Sequence, residues 1–206
     1  MIRQPGYMPN IGFFKKIQSS DIFVYLDDVQ FSKDSFDNRN QIKTNFGPEW
    51  ITVPLNRPVF EKKFNEVSIS YETNWIKEHC NKIFENYKST PYFSSYWYEI
   101  EKILNYKHKL LIQLNFELIK YFIKILDIHT QTIKSSELSI TKIKTERLIE
   151  ICLKLSATCY ISGIGGKDYL DESLFDDAKI KLIYENFTHP EYRQAHGDFI
   201  KNMSVI

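Results

Sequence analysis

An α/β fold built on a mostly parallel sheet, with a helical insertion in its middle, is predicted by three features of this 206-residue chain. Short β-branched and aromatic runs alternate with helix-period segments at both ends of the sequence, the order that βαβ units impose. Residues 22–26, Ile-Phe-Val-Tyr-Leu, are apolar without a break, the pattern of a strand covered on both faces. The stretch between the two ends carries helical periodicity over most of its length.

The elements follow in order. Residues 2–4 are a short extended start, and Pro5-Gly6 and Pro9-Asn10 mark turns. Ile11, Phe13, Phe14 and Ile17 recur near the helical period until Ser19, Ser20 and Asp21 break the run. The strand over 22–26 then ends in Asp27 and Asp28. Ligands of open α/β sheets collect beyond the carboxyl ends of the strands, so these carboxylates fall where a site is built. Residues 32–45 turn polar and Asn-rich and read as a loop, whereas 50–54 and 66–70 are strand-like and are expected to pair as an excursion on the sheet edge. Helices are expected over 75–87, 96–104 and 109–126, the last with Leu111, Leu114, Leu118, Phe122 and Ile125 on one stripe. A strand over 130–133, a helix over 142–155, a strand over 159–162, a glycine loop, a short helix and a strand over 180–184 complete the chain. With no internal repeat and no flexible linker, one domain over 1–206 is expected, both ends sharing a sheet and residues of about 74–128 forming the insertion or subdomain.

Charge and composition narrow the partners. Twenty-seven Lys and Arg against 26 Asp and Glu give a formal charge of +1, so no whole-protein field attracts nucleic acid or an anionic membrane, and neither is an expected partner. An anionic ligand must be met by a local site. Hydrophobic residues at 43% and charged residues at 26% exclude a disordered chain. Cys80, Cys152 and Cys159 form no C-x-x-C pair and frame neither disulfides nor zinc, so a reducing cytoplasm and no metal are expected. The start of the chain has no signal-peptide run, and its most hydrophobic segment, 110–128, is broken by Gln113, Glu117, Lys120 and Lys124.

Several groups are candidates for chemistry. Asp27 and Asp28, followed by Lys33, Asn38, Arg39, Asn40 and Lys43, bring together carboxylates that bind hydroxyls or take protons, amides with paired donors and acceptors, and cations for phosphate. A solvated, turn-forming loop has the same composition. Ser162-Gly163-Ile164-Gly165-Gly166-Lys167-Asp168 lies between a strand and a helix, where backbone amides can line an anion-binding concavity or simply make a turn. It lacks the P-loop spacing, and Asp168 stands where the hydroxyl belongs. His189 and His196 lie in a Pro- and Gly-containing closing segment suited to a base, while His79, His108 and His129 are expected in surface or capping roles. Cys159 is expected to be buried and inert, and the aromatic group Tyr92, Phe93, Tyr96, Trp97 and Tyr98 to be core.

Gln4-Pro5-Gly6-Tyr7-Met8-Pro9, Gly12-Phe13-Phe14-Lys15-Lys16-Ile17 and the run from Asp21 to Phe31 resemble the WbqC-like family of bacterial surface-polysaccharide gene clusters. The likeness continues through Asn38 to Thr44, Trp50 to Pro54, Arg147-Leu148-Ile149, Tyr160 to Gly163, Lys167 to Asp171 and His196-Gly197-Asp198-Phe199-Ile200. Two departures stand out. This chain has Arg3 where the family commonly has His, which removes an expected proton-transfer group, and the family's apolar tail beyond Ile206 is absent, which suggests a shortened C-terminus. A more distant likeness runs to the nucleotidyltransferase-like (Rossmann-like) α/β fold, although its H-x-G-H motif is missing at Pro9-Asn10-Ile11-Gly12.

The resemblance implies a role in O-antigen or related lipopolysaccharide assembly, as an acyl- or aminoacyltransferase, glycine included, acting on the amino group of a nucleotide-linked sugar. Acyl-CoA or another activated acyl donor is the expected co-substrate and ATP the secondary one; a homo-oligomer is left open. Asp27, Asp28 and His196 are the catalytic candidates. Gln4, Tyr7, Lys33, Asn38, Asn40, Lys43, Ser162, Lys167 and Asp168 are the substrate-binding candidates. The rivals are an ATP-dependent amide-forming ligase or nucleotidyltransferase-like enzyme, and a non-catalytic sugar-nucleotide-binding subunit.

Overall fold

The computed structural model describes residues 1–32 and 35–206. Its regular elements run β1 (Ile2–Arg3), α1 (Ile11–Gln18), β2 (Ile22–Tyr25), β3 (Arg39–Thr44), β4 (Gly47–Thr52), α2 (Trp75–Tyr87), α3 (Phe93–Asn105), α4 (Leu111–Ile125), β5 (Gln131–Lys134), α5 (Lys144–Lys154), β6 (Cys159–Gly163), α6 (Glu172–Asp177) and β7 (Lys181–Glu185). Contacts divide the chain into two compact units, one of residues 1–4, 15–28 and 129–188, the other of 5–14, 29–128 and 189–206. The fold is α/β with parallel sheet and helical insertions.

In the first unit β2 is the central strand, pairing in parallel with β1 on one side and β5 on the other. That position explains its unbroken apolar sequence, because Phe23, Val24 and Tyr25 are all buried. β6 and β7 form a second parallel pair, in register from Cys159 opposite Lys181 to Gly163 opposite Glu185. One sheet shared by both ends was the sequence expectation; the ladder is instead interrupted between β1 and β6. With only two residues, β1 reaches the β6 side through side-chain packing, Ile2 lying against the cluster of Leu148, Ile149, Cys152, Tyr160, Phe175 and Ile180. The rings of Tyr160 and Phe175 stack there at 5.4 Å and 3°. α5 supplies Leu148, Ile149 and Cys152 at helical spacing, and Leu148 and Ile149 contribute about 1.5–3 kcal/mol each on full burial.

The second unit holds the β3–β4 hairpin and helices α2, α3 and α4. The hairpin overturns two expectations. β4 pairs antiparallel with β3, which the polar sequence marked as loop, while 66–70 contributes only isolated bridges, Ile69 to Leu55 and Ser68 to Leu110. Strand periodicity is masked in β3 because its inward positions include Asn40 and Thr44, polar residues whose hydrogen bonds are made inside the unit. Gly47, at φ +99°, turns the chain into β4 in a backbone region that a side chain disfavours.

The helices follow their predicted stripes, except that α3 begins at Phe93 rather than 96. α4 buries Leu111, Leu114, Leu118 and Phe122, and between them Asn115, fully buried, donates to the carbonyls of Pro5 and Asp37, both at 2.8 Å. The aromatic group of α3 is not core as a whole: Trp97 is buried, but Tyr92 and Tyr98 are largely exposed, because only one face of the helix meets its neighbours. His79 and His108, expected in surface or capping roles, are both buried; His108 Nε2 lies 3.2 Å from Ile103 O in the last turn of α3, and desolvation pushes His79 down to about 4. Among the described residues no helix is long and apolar enough to cross a membrane.

Candidate functional site

The first unit gathers its polar groups where its parallel strands end. Gly163, at the end of β6, lies against Lys16, on whose charge Arg3 at the end of β1 and Glu185 at the end of β7 also act. The carboxyl ends of β1, β6 and β7 thus meet around Lys16, and β2 and β5 run parallel to β1.

At the carboxyl ends of β2 and β5, Asp27 is 3% exposed and every bond it accepts is internal. Its Oδ1 takes Ser136 N at 2.9 Å and Ser135 Oγ at 3.1 Å, and its Oδ2 takes Ser136 Oγ at 2.7 Å. Asp27 thereby holds the 3-10 turn Ser135–Leu138 against the end of β2. Asp28 is half-buried, and its Oδ1 accepts from Ser135 Oγ and from the Arg147 guanidinium on α5. Burial raises the Asp28 carboxyl, but the Arg147 and Ser135 bonds outweigh it and hold the group below the usual carboxylate range. Among the described residues both side-chain donors to Asp28 reach Oδ1 and none reaches Oδ2.

Beyond β6, Ser162 is buried and donates to Gly163 O at 3.1 Å. The 3-10 turn Ile164–Asp168 follows, with Lys167 and Asp168 exposed and Lys167 Nζ 5.2 Å from the Tyr184 ring centroid. A Cβ on Gly166 would lie 2.2 Å from Ser162 Oγ, so this glycine is required by packing. Gln4 follows β1 and is half-buried.

The second unit spends most of its expected ligand groups on its own backbone. Tyr7 is 0% exposed, its hydroxyl is 3.0 Å from His79 Nδ1, and burial raises that hydroxyl well above its ordinary value. Asn40 donates to Tyr7 O and Met8 O, at 3.2 and 2.7 Å, and accepts from Gln41 N. Lys43, 3% exposed, donates to Gly197 O at 3.0 Å and to Asp198 O, fastening the closing segment to β3. Asn38 donates to Val53 O at 2.9 Å across the hairpin. Asn40 and Lys43 thus balance backbone groups that burial would otherwise leave unpaired, and Tyr7 is paired with the His79 ring. Lys33 lies outside the described residues.

His196 sits at φ +61° in the same unit, its Nε2 2.7 Å from Asn86 O. A carbonyl only accepts, so Nε2 carries the proton and Nδ1 is the free acceptor. Cys159 is half-buried rather than buried, while Cys80 and Cys152 are buried with thiols pushed up to about 11 by desolvation. No group of His, Cys, Asp and Glu able to hold a metal ion occurs among the described residues.

The reasoning from sequence missed Ser135, Ser136 and Arg147. Strand-end logic applied to 130–133 as well as to 22–26 would have placed the two serines beside Asp27. For Arg147 no local signal exists, because an arginine on an amphipathic helix reads as solvent-facing.

Against known proteins, the model of the WbqC-like protein family matches residues 4–206. The protein named Uncharacterized protein Rv1507c, of Mycobacterium tuberculosis (strain ATCC 25618 / H37Rv), is 33% identical over 208 residues, covering 100% of this chain and 90% of its own length. No solved structure gives a significant match. A family match over nearly the whole chain, joined by a full-length relative, establishes that the chain belongs to the WbqC-like protein family.

Proposed function

We propose that this protein transfers an acyl or aminoacyl group to the amino group of a nucleotide-linked sugar. Family membership suggests enzymatic work in amino-sugar and O-antigen biosynthesis. The observation that carries the reading is the polar carboxyl edge of the first unit, with the Asp27–Asp28–Ser135–Arg147 network at one part and the glycine turn after β6 at another.

In this reaction the sugar ammonium loses a proton, the amine nitrogen attacks the acyl carbonyl, and the bond from that carbon to the leaving group breaks, a CoA thiol departing if the donor is acyl-CoA. Asp28 is a weak base for the first step, since Arg147 and Ser135 favour its ionised form over the protonated one. Its charge suits it to binding the ammonium or a sugar hydroxyl. The proton leaves to solvent; His196, whose Nδ1 is the acceptor left by the Nε2 bond to Asn86, lies in the second unit. Asp27 is a positioning residue that acts through the serines.

The test is mass-spectrometric: purified protein is incubated with a panel of amino-sugar nucleotides and acyl donors, with and without ATP. An acylated sugar nucleotide formed from acyl-CoA without ATP supports the reading. Release of AMP and pyrophosphate would replace it with ligation, and binding without turnover would replace it with a binding subunit.

A further inference from the structure

We propose that Arg3 and Lys16 form a binding site for a phosphate or diphosphate group at the ends of β1, β6 and β7. The identification with the diphosphate of a nucleotide-linked sugar rests on the function proposed above; the site itself does not.

The first ground is the behaviour of Lys16. A lysine on an amphipathic helix ordinarily bends its ammonium into water or pairs it, and Lys15 beside it is exposed and reaches Gln18 Oε1 at 3.5 Å. Lys16 does neither: its side chain is half-buried, and among the described residues its ammonium has no hydrogen-bond or ion-pair partner. The second ground is Gly163. This residue has φ −71° and ψ 159°, a conformation open to any amino acid, so backbone geometry does not require glycine. The space a side chain would take is held by Lys16, since a Cβ there would lie 2.9 Å from Lys16 Nζ and 3.7 Å from its Cε.

The third ground is the company Lys16 keeps. Arg3, exposed at the end of β1, is close enough to disfavour the charge on Lys16, and Glu185 at the end of β7 favours it. Burial is the largest influence on Lys16 and acts in the same direction as Arg3. Glu185 Oε2 is itself buried without a hydrogen-bond partner. Among the described residues two cations and a carboxylate thus influence one another without a hydrogen bond or ion pair between them, an arrangement with an electrostatic cost. A phosphate relieves it, because the Arg3 guanidinium offers a planar fork and Lys16 a compact charge. Lys167 is directed to the Tyr184 ring instead, and Glu172 is occupied by the Tyr184 hydroxyl at 2.7 Å. Glu185 would repel the same ligand and so limits its affinity.

The full-length protein is titrated with inorganic pyrophosphate by calorimetry, alongside acetate and the variants Arg3→Gln, Lys16→Gln, Glu185→Gln and Lys124→Gln. Pyrophosphate binding should weaken about tenfold or more in Arg3→Gln and in Lys16→Gln, the loss of one charge-assisted contact each. It should tighten in Glu185→Gln and stay unchanged in Lys124→Gln, whose lysine lies exposed on α4. Lys16→Gln should melt no lower than the wild type, because it removes an unpaired, half-buried charge. A lower melting temperature with unaltered pyrophosphate affinity would make Lys16 structural and overturn the site. So would absent binding, equal loss in Lys124→Gln, or acetate binding as tightly as pyrophosphate. Pyrophosphate binding without sugar-nucleotide turnover would leave the site standing and remove only the transferase reading.

Discussion

Asp28→Asn is the substitution whose outcome the structure most alters. A carboxylate at a strand end, taken from sequence alone, predicts lost activity with stability barely changed. In the folded protein that carboxylate accepts from Arg147 and Ser135, with 12% and 16% of the Arg147 and Asp28 side-chain surfaces exposed. Bonds to a charged group contribute about 1.5–3 kcal/mol each, roughly twice those between neutral groups. Asparagine keeps an acceptor oxygen at the same place, so about half of each bond is lost, or ~2 kcal/mol in total. For a protein of this size that lowers the melting temperature by about 4–8 °C. The sign with pH follows from the lowered carboxyl. Wild-type Asp28 contributes its stability above its ordinary value of 3.8 and loses it as the pH falls through its lower folded-state value. Urea denaturation of wild type and variant at pH 7, repeated stepwise down to pH 3, measures both effects. The midpoints should differ at pH 7 and converge in acid. Equal midpoints at pH 7, or a gap that widens in acid, would refute the assignment of Arg147 and Ser135 as the groups that hold Asp28.

Other outcomes follow from single contacts. Gly166→Ala places a methyl 2.2 Å from Ser162 Oγ and 3.0 Å from Leu170 Cδ1, so it should destabilise by about 1–3 kcal/mol. Gly163→Ala meets only the mobile end of Lys16 and should leave the thermal melt nearly unchanged, and a differential scan of the two variants separates these cases. His79, lowered from 6.5 to about 4 by burial, draws stability out of the native state as the pH falls across that interval, since the unfolded chain takes up the proton first. His79→Gln should flatten the loss of denaturation midpoint between pH 6.5 and 4.

What the sequence determined by itself were the elements whose burial is written as a period. The run 22–26 is apolar because a central parallel strand meets protein on both faces, and α2 appears over its full predicted span because Trp75, His79, Cys80 and Ile83 recur at helical spacing. Nearly all of the α/β order at both ends was legible for the same reason. β3 was not, since Asn40, Lys43 and Thr44 enter the interior by bonding to backbone groups that sequence cannot pair with them. The candidate site divides along the same line. Asp27 and Asp28 were locatable as residues after a buried strand, but whether they meet a ligand or a neighbour depended on Ser135, Ser136 and Arg147, more than a hundred positions away. Nothing in the local sequence sets Lys16 apart from Lys15 beside it. Only the tertiary structure set its ammonium against Gly163, because side-chain chemistry is local to the sequence whereas the pairing, burial and field that give a charge its use come from strands brought together across the chain.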